Sequence, residues 1–227
     1  MPASDDIAAS GASRTWTGPR SALAGRALTV LLLGAWILAA CAGLRVLWTY
    51  ENGAGVAAEP PARWPAESRL ARTPGRPTLV VLLHPGCPCS RATVDELDRL
   101  MAEADGRLAV HVLFYKPHDF ADGWERTDLW TKAAAIPGAH VSRDDDGTEA
   151  RRFGAATSGQ VVLYDARGAL RFSGGITPAR GHAGDNAGRS AIVASLSETA
   201  PAASARTPVF GCSLRDPDVA PRRPDAL

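Results

Sequence analysis

No sign of charge prevails in this 227-residue chain: 25 Lys and Arg stand against 24 Asp and Glu, a net charge of +1. With no basic stripe and no RNA-binding signature, nucleic acid is set aside as a partner. No internal repeat is present, which argues against a solenoid or a propeller. Three consecutive acids, Asp144-Asp145-Asp146, lack the spacing of a calcium-binding loop and read as a solvated turn. Cysteine is scarce, four residues in all, yet two of the four, Cys87 and Cys89, lie one residue apart. That economy needs a chemical reason.

The length leaves room for one globular domain of about 150 residues beside a membrane or targeting segment and tails. Residues 27–44 (ALTVLLLGAWILAACAGL) form the one uncharged run long enough for a bilayer core, and Val46, Leu47 and Trp48 extend it past Arg45. Residues 27–48 are therefore read as a transmembrane helix or signal anchor. Arg14, Arg20 and Arg26 precede the run, while Arg45 and the distant Arg63 follow it. That bias puts the N-terminus in the cytoplasm and the bulk of the chain on the periplasmic or extracellular side of the inner membrane. Leu38-Ala39-Ala40-Cys41 resembles a lipoprotein box, which would make Cys41 a lipidated first residue. The 26 residues ahead of the run and the apolar character beyond Cys41 favour an ordinary membrane helix.

Residues 1–26 read as a disordered cytoplasmic tail, and residues 49–77, with Pro60, Pro61, Pro65, Pro74 and Pro77, as a linker whose Trp64 and Leu70 are free to pack. Regular patterning then begins. An apolar run, Thr78 to Leu83, leads into a helix, Ser90 to Glu103, with Val94, Leu97, Leu100 and Met101 at helical spacing. Leu108 to Tyr115 is a second strand, parallel to the first through the intervening helix. Helices are expected near Glu125 to Ala135 and Thr148 to Phe153. Gln160–Tyr164 and Ala169–Ser173, joined by Asp165-Ala166-Arg167-Gly168, form an antiparallel hairpin. A Gly-rich loop over 174–188, a last helix over Arg189–Ser197 and a C-terminal tail over 201–227 complete the chain, the folded domain being set at 78–200.

A strand ending at Leu83 and a helix starting near Ser90 put Cys87 and Cys89 at a helix N-terminus, where unpaired N–H groups and the helix dipole favour a thiolate. The thiolate is the form that attacks disulfides and binds metals. Pro88 suits a first turn, where its missing N–H costs little. A disulfide between Cys87 and Cys89 would close a small, strained and easily reduced ring. The same pair with the nearby His84 also suits a soft or borderline ion such as copper or zinc. Cys212 follows Val209 and Phe210, which can anchor the tail and make Cys212 a resolving thiol; an unpaired tail cysteine is the alternative.

The order strand, helix, strand, helix, hairpin, helix is that of an α/β thioredoxin-like fold, a mixed central sheet with helices on both faces. Three stretches carry a resemblance to the membrane-tethered TlpA-like thioredoxins, and more closely to RedB-type proteins. These are His84-Pro85-Gly86-Cys87-Pro88-Cys89-Ser90, the segment from Thr157 to Asp165, and the loop from Gly174 to Asn186; together the resemblance spans roughly residues 60–214. It implies a thiol-disulfide oxidoreductase with no cofactor, acting on protein or small-molecule thiols and disulfides, with Cys87 in the nucleophile's place; the residues themselves offer Cys89 and Cys212 as its partners. It further implies a substrate-facing surface made of Pro88, Ser158, Gly159, Gly174, Gly175 and His182, with Arg180 and Asp185 in the same loop. Two departures stand out. Ser90 occupies the usual resolving position of a Cys-x-x-Cys pair, and Ser158-Gly159 stands where such folds carry a cis-proline. A metal-binding module built on Cys87, Cys89 and His84, and a non-catalytic interaction domain, are the competing readings.

Overall fold

The computed structural model describes residues 19–197 and 204–215. Most of the expected cytoplasmic tail and residues 216–227 lie outside the described residues. The chain divides into a unit ending at Trp48 and a folded unit beginning at Thr49. Helix α1 covers Pro19–Asn52, longer than the apolar run at both ends, because proline is tolerated in a first turn and Ala, Leu and Arg are good helix formers. From Leu23 to Asn52 it is long and apolar enough to cross a membrane, its most apolar 18-residue stretch having a mean hydropathy of 2.3.

The folded unit is built on strand β1, Thr78–Leu83, all six residues of which are buried. It lies between β2, Ala109–Lys116, which runs parallel to it, and β4, Gln160–Tyr164, which runs antiparallel. Strand β5, Leu170–Gly174, completes the expected hairpin with β4. Helix α2, Cys89–Ala104, makes the crossover from β1 to the parallel β2. Helices α3, Asp128–Ala134, and α4, Thr148–Arg152, follow the sequence pattern with trimmed ends, and α5, Ala187–Ser195, is shifted two residues towards the N-terminus of the expected 189–197. The fold is thioredoxin-like.

Alternate residues of β1 serve opposite faces, as the two-residue period of a strand requires. Leu79, Val81 and Leu83 pack with Val94, Leu97 and Leu100 of α2, Leu129 of α3 and Ile192 of α5. Val80 and Leu82 pack with Phe153, Tyr164 and Leu214 on the other side.

Two strands escaped the sequence pattern. Strand β3, Ala139–Asp145, pairs in parallel with β2 at the sheet edge. One face of an edge strand is solvated, so its polar sequence gives no apolar signal. Asp144 and Asp145 of the supposed solvated turn belong to it, while Asp146 lies in the turn that follows; Asp144 is buried, and its carboxylate accepts the N–H groups of Glu149 (2.7 Å) and Ala150 (2.9 Å) at the start of α4. Strand β6, Ala205–Arg206, pairs in parallel with β5 and makes the order β3-β2-β1-β4-β5-β6.

Both flanking segments are laid onto the domain. In the expected linker, Ala62 and Trp64 bond the backbone of Leu170 and Gly168. Trp64 meets Phe153 and Tyr164 edge to face at 5.1 and 5.4 Å between centroids, and each such pair is worth about 0.5–1.5 kcal/mol beyond its buried area. Proline-rich composition lowers the entropy lost on docking, so a segment that looks like a tether can serve as a strap.

Candidate functional site

Strand β1 ends at Leu83 and the chain turns tightly into α2. Cys87 N–H donates to the His84 carbonyl at 3.1 Å, and Ser90 N–H to the Cys87 carbonyl at 3.1 Å. This turn sets Cys87 and Cys89 at the mouth of α2. Cys87 is 4% exposed, whereas Cys89 and Cys212 are half-buried; all the cysteines are free thiols.

The third sulfur arrives from the tail. Ser158 N–H donates to the Cys212 carbonyl at 2.9 Å, and Leu214 N–H to the Ala156 carbonyl at 2.8 Å. Thr157 and Ser213 thus face each other as an antiparallel bridge. Val209 and Leu214 are the buried anchors of this segment, and Gly55 N–H donates to the Val209 carbonyl from its other side at 2.8 Å. The sulfur atoms of Cys87, Cys89 and Cys212 consequently all lie within 4.8 Å of one another.

Their electrostatics are unequal. Burial raises the Cys87 thiol, but hydrogen bonds from the backbone and thiol of Cys212 and from the hydroxyl and backbone of Ser90 outweigh it and hold Cys87 below the ordinary thiol value. Burial, the charge of Cys87 and a hydrogen bond to Cys87 raise Cys89, against an opposing pull from Arg180. Cys212 is pushed up to about 12 by burial, by its hydrogen bond to Cys87 and by the charges of both other thiolates. One sulfur of the three is therefore the favoured thiolate, and the other two act toward it as donors or neighbours.

Ser90 in the resolving position does not leave a gap. Its hydroxyl shares a 2.7 Å hydrogen bond with the Ser158 hydroxyl, and Ser158 in turn accepts the His84 N–H at 2.7 Å. Gly159, in place of the cis-proline, has φ +91°, a conformation glycine reaches without strain, and its N–H bonds the Leu82 carbonyl at 2.8 Å. The Ser158-Gly159 turn thereby keeps the backbone of Ser158 open to an adjacent strand, which here is the tail.

Arg180 reaches the site from the loop after β5, donating to the Gly211 carbonyl at 2.5 Å. That loop is fixed from beneath by Glu96 of α2, a fully buried carboxylate that accepts Gly184 N–H at 2.8 Å, Asn186 Nδ2 at 3.0 Å and Arg189 at 2.8 Å. Asn186 also caps α5 through the Arg189 N–H at 2.7 Å. Asp185 pairs with Arg189 at the surface. A cleft of about 420 Å³ opens beside Cys212, lined by Thr157, Arg180, Gly211, Ser213 and Arg215 among others.

The structure brings some of the sequence candidates into the sulfur cluster and leaves others outside it. His84 is not in the sulfur cluster; its Nδ1 accepts the Gly86 N–H at 3.0 Å within the turn, and Cys212 takes the third place instead. His182 is exposed, with Nδ1 2.7 Å from the Arg180 carbonyl, so it shapes its own loop. Gly174 and Gly175 face the tail: Thr207 Oγ1 donates to the Gly175 carbonyl at 2.9 Å, and Gly175 N–H to that of Pro208 at 3.1 Å. Pro88 is exposed at the start of α2. The backbone of Ala156 and Ser158, the tail's docking edge, leaves no trace in the sequence pattern, because backbone groups carry no residue-type signal.

A parallel strand pair, an antiparallel hairpin and cysteines at the mouth of the helix after β1 define a thioredoxin-like domain. Neither protein-family models nor curated proteins match the sequence. Among solved structures, an uncharacterized conserved protein from Geobacillus kaustophilus is similar at 19% identity over 74% of this chain and 94% of its own, with a TM-score of 0.52. A hypothetical protein from Sinorhizobium meliloti 1021 is similar at 20% identity over 62% and 80%, with a TM-score of 0.50. These likenesses bear on fold alone. A secreted Mycobacterium tuberculosis disulfide oxidoreductase homologous to E. coli DsbE aligns at 20% identity over 43% of this chain and 67% of its own, but its TM-score of 0.36 is too low to bear on function.

Proposed function

We propose that the chain is a membrane-anchored thiol-disulfide oxidoreductase of the RedB type, with its folded unit on the extracytoplasmic side of the inner membrane and Cys87 as nucleophile. The observation that carries this reading is the packing of Cys212 against Cys87 at the mouth of α2, one thiol depressed and the other raised. The Cys87 thiolate attacks one sulfur of a substrate disulfide; that S–S bond breaks, a mixed disulfide forms, and the departing thiolate takes a proton from solvent. Cys212, giving up its proton, then attacks the Cys87 sulfur. The second substrate thiolate leaves, and a Cys87–Cys212 disulfide remains. Two electrons have passed from the two protein thiols to the substrate; the reverse sequence oxidises a substrate dithiol. Cys89 is the second possible partner, and Arg14, Arg20 and Arg26, ahead of the apolar run, support the outward placement of the site.

The test is peptide mapping of the oxidised full-length protein without reduction, paired with turnover of its cysteine variants. A disulfide joining Cys212 to Cys87 or Cys89 is expected, as is loss of exchange activity in Cys87→Ser and a weaker or altered activity in Cys89→Ser. Such a link closes a loop of more than a hundred residues and stabilises the oxidised form by at most about 4–5 kcal/mol. A bridge between Cys87 and Cys89 alone would remove Cys212 from the mechanism. Undiminished turnover in both variants would sink the enzyme reading.

A further inference from the structure

We propose that the reduced thiols of Cys87, Cys89 and Cys212 form an all-sulfur, three-coordinate site for a soft monovalent metal ion, copper(I). This function is separate from disulfide exchange.

The geometry is nearly that of a bound site. A metal-thiolate bond is about 2.3 Å long, taking zinc as the gauge, so three sulfurs in a plane around one ion lie about 4 Å apart. The three sulfurs here lie within 4.8 Å of one another, so closure needs less than about 1 Å of movement, within the reach of small side-chain adjustments. Two of the ligands are set by the turn into α2. The third is held on a strand that is hydrogen-bonded at both sides of Cys212.

The donor set selects the ion. Among the described residues no imidazole or carboxylate joins the group, so hard oxygen-seeking cations find no ligand. Zinc usually takes four ligands, or three with water in the last place, whereas a thiolate-only trio satisfies a soft, low-coordinate ion. Three thiolates and one monovalent cation make a doubly negative centre. The Arg180 guanidinium, held beside it by the Gly211 carbonyl, offsets part of that charge. The burial of Cys87 limits water at the site.

Binding is a ligand exchange with no electron transfer: each sulfur still protonated releases its proton to solvent, and the ion stays monovalent. A Cys87–Cys212 disulfide consumes two of the three ligands, so the copper-loaded and oxidised forms exclude each other.

The experiment uses the full-length protein in detergent, reduced, under anaerobic conditions and in a Cys41→Ser background, which leaves three thiols per chain. Copper(I) is supplied through a chromophoric chelator that reports competition. One ion per chain is expected, with protection of all three thiols from alkylation and only sulfur neighbours in the X-ray absorption spectrum. Cys212→Ser and Cys89→Ser should each lower the affinity roughly tenfold or more, since even the outer partners of metal ligands change affinity by about 10–100-fold. Protein pre-oxidised to the disulfide should take up none. Failure to compete with the chelator, a nitrogen neighbour, undiminished affinity in Cys212→Ser with the fold intact by circular dichroism, or tighter binding of zinc would each overturn the proposal. A protein that forms the disulfide yet ignores copper refutes this site and leaves the exchange reading standing; one that binds copper without forming the disulfide does the reverse.

Discussion

Gly211→Ala tests whether the tail is the cover over the nucleophile. A Cβ on residue 211 would lie 3.0 Å from the Ser158 carbonyl carbon, closer still to its oxygen, and 3.3 Å from Thr157 Cγ2. Ser158 cannot retreat cheaply, because its N–H, hydroxyl and neighbour Gly159 are all engaged. Overpacking of this kind costs about 1–3 kcal/mol. The cost falls on the docked tail alone, since a released tail has no Ser158 to meet. With tenfold for every 1.4 kcal/mol or so, the released population rises roughly 5- to 150-fold. Cys87 is 4% exposed under the docked tail, so its reaction with a neutral alkylating agent follows that population while reclosure is fast. The assay is the alkylation rate of Cys87 in the reduced full-length protein, read by peptide mass, with a denatured sample fixing the intrinsic rate. Leu214→Ala, which empties a buried position at the other end of the tail at a cost of about 2–5 kcal/mol, should accelerate it too. A Cys87 rate equal to wild type in both variants would refute the assignment of the tail as the cover.

Ser90→Ala removes a hydroxyl that holds the Cys87 thiol below its ordinary value of 9.0, so the titration of Cys87, followed by thiolate absorbance, should move upward. Because a depressed thiol stabilises the fold at pH above its unfolded value and loses that contribution as pH falls through the folded one, the difference in Tm between wild type and Ser90→Ala should narrow as the pH is lowered through that range. An unmoved titration would take Ser90 out of the thiolate's environment. For topology, a reporter active only outside the cytoplasm should function when fused after residue 60 and fail when fused before Arg20; the reverse pattern would place the thiols in a reducing compartment, where a stable disulfide is not expected.

What the sequence disclosed and what it concealed follow a physical division. The apolar run Thr78–Leu83 announced a central strand because both faces of β1 are buried, and the amphipathic spacing of Val94, Leu97 and Leu100 announced α2. Together they located Cys87 and Cys89 at a helix mouth. Strand β3 stayed hidden because the edge position relieves its outward residues of any need to be apolar, and Asp144 misled because its burial depends on an N–H pair supplied by α4. The strap over 54–72 and the tail over 204–215 were hardest to read. They dock mainly through backbone hydrogen bonds and a few anchors, Trp64, Val209 and Leu214, too sparse to form a period. Nearness in sequence makes His84 a candidate ligand, but its Nδ1 accepts the Gly86 N–H and Cys212 takes the third place in the cluster.

The docked tail also imposes an order on the proposed exchange. In the reduced state the favoured thiolate, Cys87, is covered, while the more accessible Cys212, raised to about 12, is almost wholly protonated at neutral pH. Neither sulfur is both exposed and ionised, so exchange begins with release of the tail. Release also withdraws the Cys212 hydrogen bonds that favour the Cys87 thiolate, leaving Ser90 and the N–H groups at the mouth of α2 to hold the charge. An incoming chain that lies along Ala156–Ser158 meets the same carbonyl and N–H that the tail has vacated, and its own N–H groups can restore the lost stabilisation. Under the proposed exchange, the groove that seats Cys212 would favour an extended segment over a compact small molecule, and return of the tail would bring the resolving thiol back onto the Cys87 sulfur as the product departs.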